Sequence, residues 1–217
     1  MANIASKLAS PSQSQVFELL GRVLYACNVI ERRLRWMNKH RGDIWTGKTP
    51  EELLMSIKKS VEKQQKEDKI PLGPIGQDLI DAIYTPRSNK EVEETEKKSL
   101  FVFKIDYKIE WKGRSRRAKM KFKNFIDIRN CLVHYFARDY DLTELESCRK
   151  AYDNLKKKSE IVKDAAEFFN QDYDMMKSVL QECCDGILKL LAQSESEVAR
   201  GRVIHQKDLF KSLEKIL

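Results

Sequence analysis

The stretch from residue 14 to residue 37, SQVFELLGRVLYACNVIERRLRWM, decides the fold class. Its apolar residues recur at spacings of four and three, which places them on one stripe of a helix. The stripe consists of Val16, Leu20, Val23, Cys27, Ile30, Leu34 and Met37. A long helix with a single apolar stripe needs a partner that buries this stripe. The pattern therefore predicts a helical bundle.

A second helix is predicted downstream of the first. Thr49 and Pro50, followed by two acidic residues, are typical of a helix start, so we expect a helix from Pro50 to about Asp68. A short apolar stretch follows at 79–84, and the polar residues 86–99 are expected to form a loop or a poorly packed helix. Between the second helix and the apolar stretch we expect a break at Pro71, Gly73, Pro74 and Gly76.

The C-terminal half also has helical periodicity. Asp141 followed by Glu144 fits a capping box ahead of a long helix. No internal repeat occurs, and the connections are short enough for antiparallel neighbours. The apolar spacing predicts helices over about 121–138, 145–170, 172–192 and 195–216.

The segment between these halves has a different period. From Phe101 to Trp111 every second residue is apolar, which is typical of a strand with one buried face. A glycine turn is expected at 112–115, and the alternation that follows predicts a second arm, although the same residues could begin the next helix. We therefore expect a mainly α protein, an antiparallel helical bundle of one domain over 1–217 with a β-hairpin inserted at about 99–120.

Composition excludes several classes of protein. The 217 residues include only 8 glycines and 5 prolines, and a chain that is 34% charged and 41% hydrophobic is neither a disordered tail nor an all-β protein. The first fifteen residues lack the apolar core of a signal peptide, and nowhere do about 18 apolar residues run together. We expect a cytoplasmic protein with no membrane contact, whose five cysteines are reduced packing residues and which uses no metal and no cofactor.

Positive charge is concentrated in one segment. The formal net charge is +8, and residues 101–123 hold nine Lys and Arg against two acids, a local charge of +7. Such a segment favours a polyanionic partner, most often nucleic acid, although a solvated basic face that keeps the protein in solution is an equally good explanation of the charge alone. The expected RNA contacts are Lys104, Lys108, Lys112, Arg114, Arg116, Arg117, Lys119 and Lys121.

One histidine stands in a context suited to chemistry. The sequence has no Walker loop, dinucleotide-binding glycine fingerprint, H-E-x-x-H or G-x-S-x-G motif. All three histidines have an arginine five residues upstream, but only in Arg129-Asn130-Cys131-Leu132-Val133-His134 is the arginine followed by Asn and then by apolar residues. This stretch resembles the R-x4–6-H motif of the HEPN superfamily, small helical bundles that include many metal-independent endoribonucleases.

The resemblance implies an activity and an assembly. It assigns RNA cleavage to Arg129, Asn130 and His134 in a homodimer, with the chain acting as the toxin of a toxin–antitoxin or abortive-infection system and an antitoxin or regulatory protein as a further partner. Asn130 shares a helix face with His134, whereas Arg129 lies about 140° from it around the axis, which a second copy of the helix would compensate. A subgroup of the family carries Tyr two residues after the histidine, where this chain has Phe136. Tyr135 is expected to pack or to contact RNA.

Two other functions are compatible with the same residues. A catalytically silent HEPN module would bind RNA or a protein, and a helical adaptor would present its basic segment to an acidic antitoxin. Ribonuclease activity in the presence of EDTA separates the enzyme from both alternatives.

Overall fold

The computed structural model describes residues 11–42, 44–67, 71–84, 101–104 and 113–198. Most of them are helical, which confirms the mainly α class. The helices are α1 (Gln13–His40), α2 (Pro50–Glu67), α3 (Leu72–Tyr84), α4 (Arg114–His134), α5 (Phe136–Asp139) and α6 (Leu145–Val198), and the strands are β1 (Ile44–Gly47) and β2 (Phe101–Lys104).

The chain divides into two compact units. The first contains α1 up to residue 32, α4 from residue 117, α5, and α6 up to residue 170; the second contains the rest. Within the first unit Lys121 contacts Asp164 and Cys131 contacts Lys158, so α4 and α6 run antiparallel there. The antiparallel arrangement of a whole single-domain bundle stays a prediction.

Helix α1 matches the prediction from its apolar stripe. Every stripe residue except the half-buried Leu20 is buried. The helix begins with a reciprocal cap, because Gln15 N–H donates to Ser12 Oγ at 3.3 Å and Ser12 N–H donates to Gln15 Oε1 at 2.8 Å. The stripe therefore anchors α1 along its full length, and its residues beyond 32 belong to the second unit.

The second unit has its core around β1. Strand β1 pairs antiparallel with β2, with Ile44 opposite Lys104. The start of α2 comes close to the strand, because a Cβ on Gly47 would lie 2.9 Å from the Thr49 carbonyl oxygen, so this position requires glycine. The core cluster joins β1, α2 and α6 through Trp45, Leu53, Ile57, Leu180, Cys184 and Ile187.

The predicted break is correct at Pro71, which is not helical, but wrong from residue 72 onward. Helix α3 begins at Leu72 and includes Gly73, Pro74 and Gly76. Pro74 falls in the first turn, where a backbone N–H has no partner within the helix, so proline costs little there. The two glycines also lie in the first turns, and the helix continues to Tyr84 with five buried apolar residues, Leu72, Ile75, Leu79, Ile80 and Ile83.

The predicted β-hairpin is wrong in its second arm. Residues 101–104 form a strand as expected, but its partner is β1, and residues 114–120 are helical. Gly113 is in a turn at φ 82°, as the glycine-turn prediction requires, and α4 follows it directly. Ala118 and Phe122 are buried at helical spacing while Met120 is exposed, so a period near four describes them better than a period of two. Residues 105–112 lie outside the described residues.

Helix ends also differ from the sequence prediction. Helix α4 begins about seven residues early and stops at His134, and the short α5 carries Phe136. Asp141 does not form a capping box, because its Oδ1 accepts from Thr143 N–H and hydroxyl. These hydrogen bonds lower the pKa of Asp141. Helix α6 continues through residues 170–172 and 192–195, where two helix breaks were predicted.

Candidate functional site

Helix α4 has one buried face and one polar face. The buried face includes Ala118, Phe122, Phe125, Ile128 and Leu132. On the opposite face, at spacings of three and four, are Lys119, Lys123, Asp127, Asn130 and His134, of which Asn130 is half-buried and the others are exposed. We call these five residues the polar row. The row brings basic residues and the motif histidine onto one side of a single helix.

His134 is the last residue of α4 and is exposed. The helix ends after it, where Tyr135 N–H donates to the Cys131 carbonyl at 3.0 Å. The imidazole makes an edge contact with the Tyr135 ring at 6.1 Å between centroids, and Arg138 lies over the same ring at 4.6 Å. Within the described residues its side chain makes no hydrogen bond or ion pair. The imidazole is therefore open to a ligand from solvent.

Arg129 is held on the side of α4 that faces α1. Its Nη2 lies 3.3 Å from Glu31 Oε2, and its Nη1 donates to Asn130 Oδ1 at 3.2 Å. The side chains of Arg129 and Glu31 keep 30% and 15% of their exposure, so the pair is partly open to water. Its Nε is buried without a hydrogen-bond partner. A guanidinium with five N–H donors therefore has donors to spare.

Cys27 lies beside this pair. Burial raises the pKa of its thiol to about 11, against the opposing effect of the Arg129 charge, and Glu31 raises it further. The thiol is neutral near pH 7 and acts as a packing residue.

Glu31 is the site residue that sequence reasoning missed. It is the only carboxylate between Glu18 and Asp43, and it stands four residues after Cys27, at the edge of the apolar stripe. A single acid in such a position signals a buried cation nearby. Which cation it pairs with depends on the tertiary packing of α1 against α4, which no local pattern reveals.

Arg129 and His134 do not meet within one chain. Arg129 contacts Glu31 and Asn130, His134 contacts Tyr135, and no described hydrogen bond or ion pair joins the two. This agrees with the 140° separation expected for residues five apart on a helix. Asn130 lies between them, because its Oδ1 accepts from Arg129 while its position in the polar row is next to His134.

The other two histidines have different settings. His40 is in the last turn of α1, is 2% exposed, and packs its ring on Trp36 at 4.6 Å between centroids. It is a core residue of the second unit. His205 lies outside the described residues.

The predicted RNA contacts are not equivalent. Arg116, Arg117 and Lys119 are exposed on the first turns of α4, and Tyr135 is 44% exposed. Arg114 instead pairs with the fully buried Asp172, and Lys121 pairs with Asp164 and lies over the Phe168 ring at 5.7 Å. Lys104 lies in strand β2, opposite Ile44. Lys108 and Lys112 lie outside the described residues.

Two other kinds of site, a metal centre and a membrane-spanning helix, are not found among the described residues. Among the described residues no group of three His, Cys, Asp or Glu side chains is placed to hold a metal ion. No described helix combines the length and apolarity needed to cross a bilayer.

Comparison with known proteins returned no relative. No family model matches the chain, and neither a curated protein nor a solved structure matches it. The HEPN resemblance therefore rests on the motif residues and their setting.

Proposed function

We propose that the protein is a HEPN-type endoribonuclease that needs no metal and cleaves RNA by attack of a 2′-OH on the adjacent phosphate. The observation that carries the proposal is the exposed His134 at the end of a helix whose polar row also presents Lys119 and Lys123. A nucleic-acid strand on this row would meet phosphate-binding cations and a proton-transfer group along one line. The biological setting that we propose, a cytoplasmic toxin of a toxin–antitoxin or abortive-infection system, follows from the resemblance.

His134 supplies the proton transfer. An imidazole can take a proton from the 2′-OH or give one to the departing 5′-oxygen near neutral pH. Its solvent exposure lets a phosphodiester reach the ring directly. In a homodimer two imidazoles are present, so one can act as base while the other acts as acid.

Arg129 stabilises the charge on the phosphate. Glu31 and Asn130 take one donor from each Nη and so fix the plane of the guanidinium, which leaves the remaining N–H groups for phosphate oxygens. A positioned cation of this kind acts on the charge that builds up in the transition state. The partial exposure of the pair leaves room for this contact.

A second copy of the chain completes the site. Residues five apart on one helix point in different directions, and a two-fold contact between two α4 helices would bring each Arg129 toward the partner copy's histidine. Val133 and Tyr135 flank His134 and are 51% and 44% exposed. Apolar side chains beside a polar site favour an interface that covers them.

The catalytically silent alternative also has an observation in its favour. Glu31 compensates the charge of Arg129, as it would in a purely structural pair. In that case the polar row binds RNA phosphates and His134 performs no chemistry. The two functions make opposite predictions for cleavage.

The deciding experiment is RNA cleavage by the purified chain in EDTA. We expect the parent to cut RNA and His134→Ala to lose about 10² to 10⁴ in rate, as removal of an acid–base group typically does. The matched control is Leu145→Ala, which truncates an exposed apolar side chain on α6, outside the proposed dimer contact, and should leave cleavage within about twofold. An inactive parent that still binds RNA would establish the silent module, and a fully active His134→Ala would end the assignment of His134.

A further inference from the structure

Lys158 occupies an unusual place on α6. The buried row of this helix in the first unit runs at spacings of three and four through Cys148, Ala151, Leu155, Val162 and Ala165, all nearly inaccessible. Lys158 stands in the same row, between Leu155 and Val162, and is half-buried. A lysine in a row of buried apolar residues needs a hydrogen-bond acceptor for its ammonium group.

The partner is a cysteine on α4. Lys158 Nζ donates to Cys131 Sγ at 2.9 Å, and this is its one hydrogen bond within the described residues. Cys131 is also half-buried, so neither group is sealed from small solutes. A neutral thiol accepts only weakly, whereas a thiolate would balance the ammonium charge. The thiolate is the form of a cysteine that reacts with peroxides.

We propose that Cys131 and Lys158 are an oxidation site at which a hydroperoxide joins them through a covalent sulfur–nitrogen bond. The pair already has its sulfur and nitrogen in contact, on two neighbouring helices of the first unit. The proposal does not depend on RNA cleavage, because it concerns the reaction of these two side chains alone.

The reaction balances in two steps. The Cys131 thiolate attacks one peroxide oxygen and the O–O bond breaks, which oxidises the sulfur by two electrons to a sulfenic acid and releases hydroxide. The hydroxide takes a proton from the Lys158 ammonium to give water and a neutral amine. The amine nitrogen then attacks the sulfur and displaces the hydroxyl, which leaves as a second water with a proton from nitrogen. Condensation of a sulfenic acid with a nitrogen is established chemistry of oxidised cysteines.

The other cysteines provide controls within the chain. The Cys27 thiol has its pKa raised to about 11 by burial, and burial together with Glu182 raises the pKa of Cys183. Cys148 donates its S–H to the Leu142 carbonyl at 3.2 Å. Among the described residues no lysine amine donates to the sulfurs of Cys27, Cys148 or Cys183, so peroxide should not link these three cysteines to a described lysine.

The test uses the full reduced chain and hydrogen peroxide, followed by digestion and mass spectrometry. We expect a linked peptide pair containing Cys131 and Lys158, two hydrogen masses below the sum of the separate peptides, which separates again on treatment with a thiol reductant. The control Lys158→Arg keeps a cation beside the sulfur but removes the amine. In this variant Cys131 should oxidise to sulfinic acid without any linked peptide.

Two outcomes overturn the proposal. One is a parent in which Cys131 reaches sulfinic acid and no linked peptide forms at any peroxide concentration. The other is a Cys131 that oxidises no faster than Cys183 in the same molecules. Both are read on the folded parent, so a poorly folding variant does not affect them. The linked product should also melt at a higher temperature than the reduced chain, because it ties α4 to α6.

Discussion

Two arginines of α4 are paired with carboxylates on other helices, and the two pairs differ mainly in burial. Arg114 and Asp172, both in the second unit, keep 14% and 0% of their side-chain exposure. Arg129 and Glu31, both in the first unit, keep 30% and 15%. A buried pair satisfies itself and holds the fold, whereas a pair that water reaches can exchange one of its contacts for a ligand. An arginine–carboxylate pair can therefore stabilise the fold at one position and bind a ligand at another.

The largest effect is expected when the buried pair is broken. Asp172→Asn removes the buried carboxylate charge that faces Arg114, and breaking a buried pair of this kind costs about 3–5 kcal/mol of unfolding free energy. Urea denaturation followed by circular dichroism measures this loss. RNA cleavage per folded molecule should be unchanged, because the pair is not part of the proposed site.

Asp164→Ala is the matched control for this prediction. Asp164 pairs with Lys121, but its side chain is 65% exposed, so its removal should cost at most about 1 kcal/mol. If Asp172→Asn were no more destabilising than Asp164→Ala, the burial contrast on which the comparison depends would be wrong.

Arg129→Ala should strongly reduce RNA cleavage and have a smaller effect on stability than Asp172→Asn. Removal of a positioned charge stabiliser costs about 10² to 10³ in rate, whereas the partly exposed pair contributes less to the fold than Arg114 and Asp172 do. Cleavage of RNA in EDTA and a urea titration of the same preparation separate the two effects. A variant that loses several kcal/mol of stability yet keeps full activity would make this pair structural as well.

The elements that sequence predicted correctly are those whose signal lies within one helix. The stripe of α1 is almost entirely buried, and Thr49 caps α2 by accepting from Glu52 N–H at 3.3 Å. The start of α4 was predicted only as an alternative to a second strand, because Ala118, Met120 and Phe122 fit both a period of two and a helix when the window is this short. No pattern marked β1, and it pairs with β2 across more than fifty residues.

The candidate site also has one part that the sequence predicts and one part that depends on tertiary packing. Arg129, Asn130 and His134 could be found from their order and spacing, and their common helix gives Asn130 its place beside His134. The Glu31 contact and the inward position of Arg114 depend on which helices pack together. Charge counting treated Arg114, Lys121 and Lys119 as equivalent, although the first two are held by carboxylates.

Glu31→Gln should reduce RNA cleavage less than Arg129→Ala does. The amide keeps a hydrogen bond to the guanidinium but removes the charge, so the Arg129 plane is less firmly held and we expect about a tenfold loss of cleavage. A double-mutant cycle with Arg129→Ala measures the coupling between the two residues, which for residues in contact lies at about 0.5–3 kcal/mol. Additive effects on the rate would show that Glu31 does not act through Arg129.

The smallest effect is expected from the exposed cations of α4, because each of them supplies one phosphate contact in the proposed site. Reversing Arg117, Lys119 and Lys123 to Glu should weaken RNA binding, because each phosphate contact releases counterions with a slope of about 0.7 per phosphate on single strands. Loss of three contacts should reduce the log–log salt slope by about 2, with cleavage at saturating RNA retained. Reversal of Lys157 and Lys163, two exposed lysines of α6, is the control of equal sign and similar exposure. If both sets of reversals changed the salt slope of RNA binding equally, RNA would be attracted by net charge alone and the polar row would not be the RNA-binding surface.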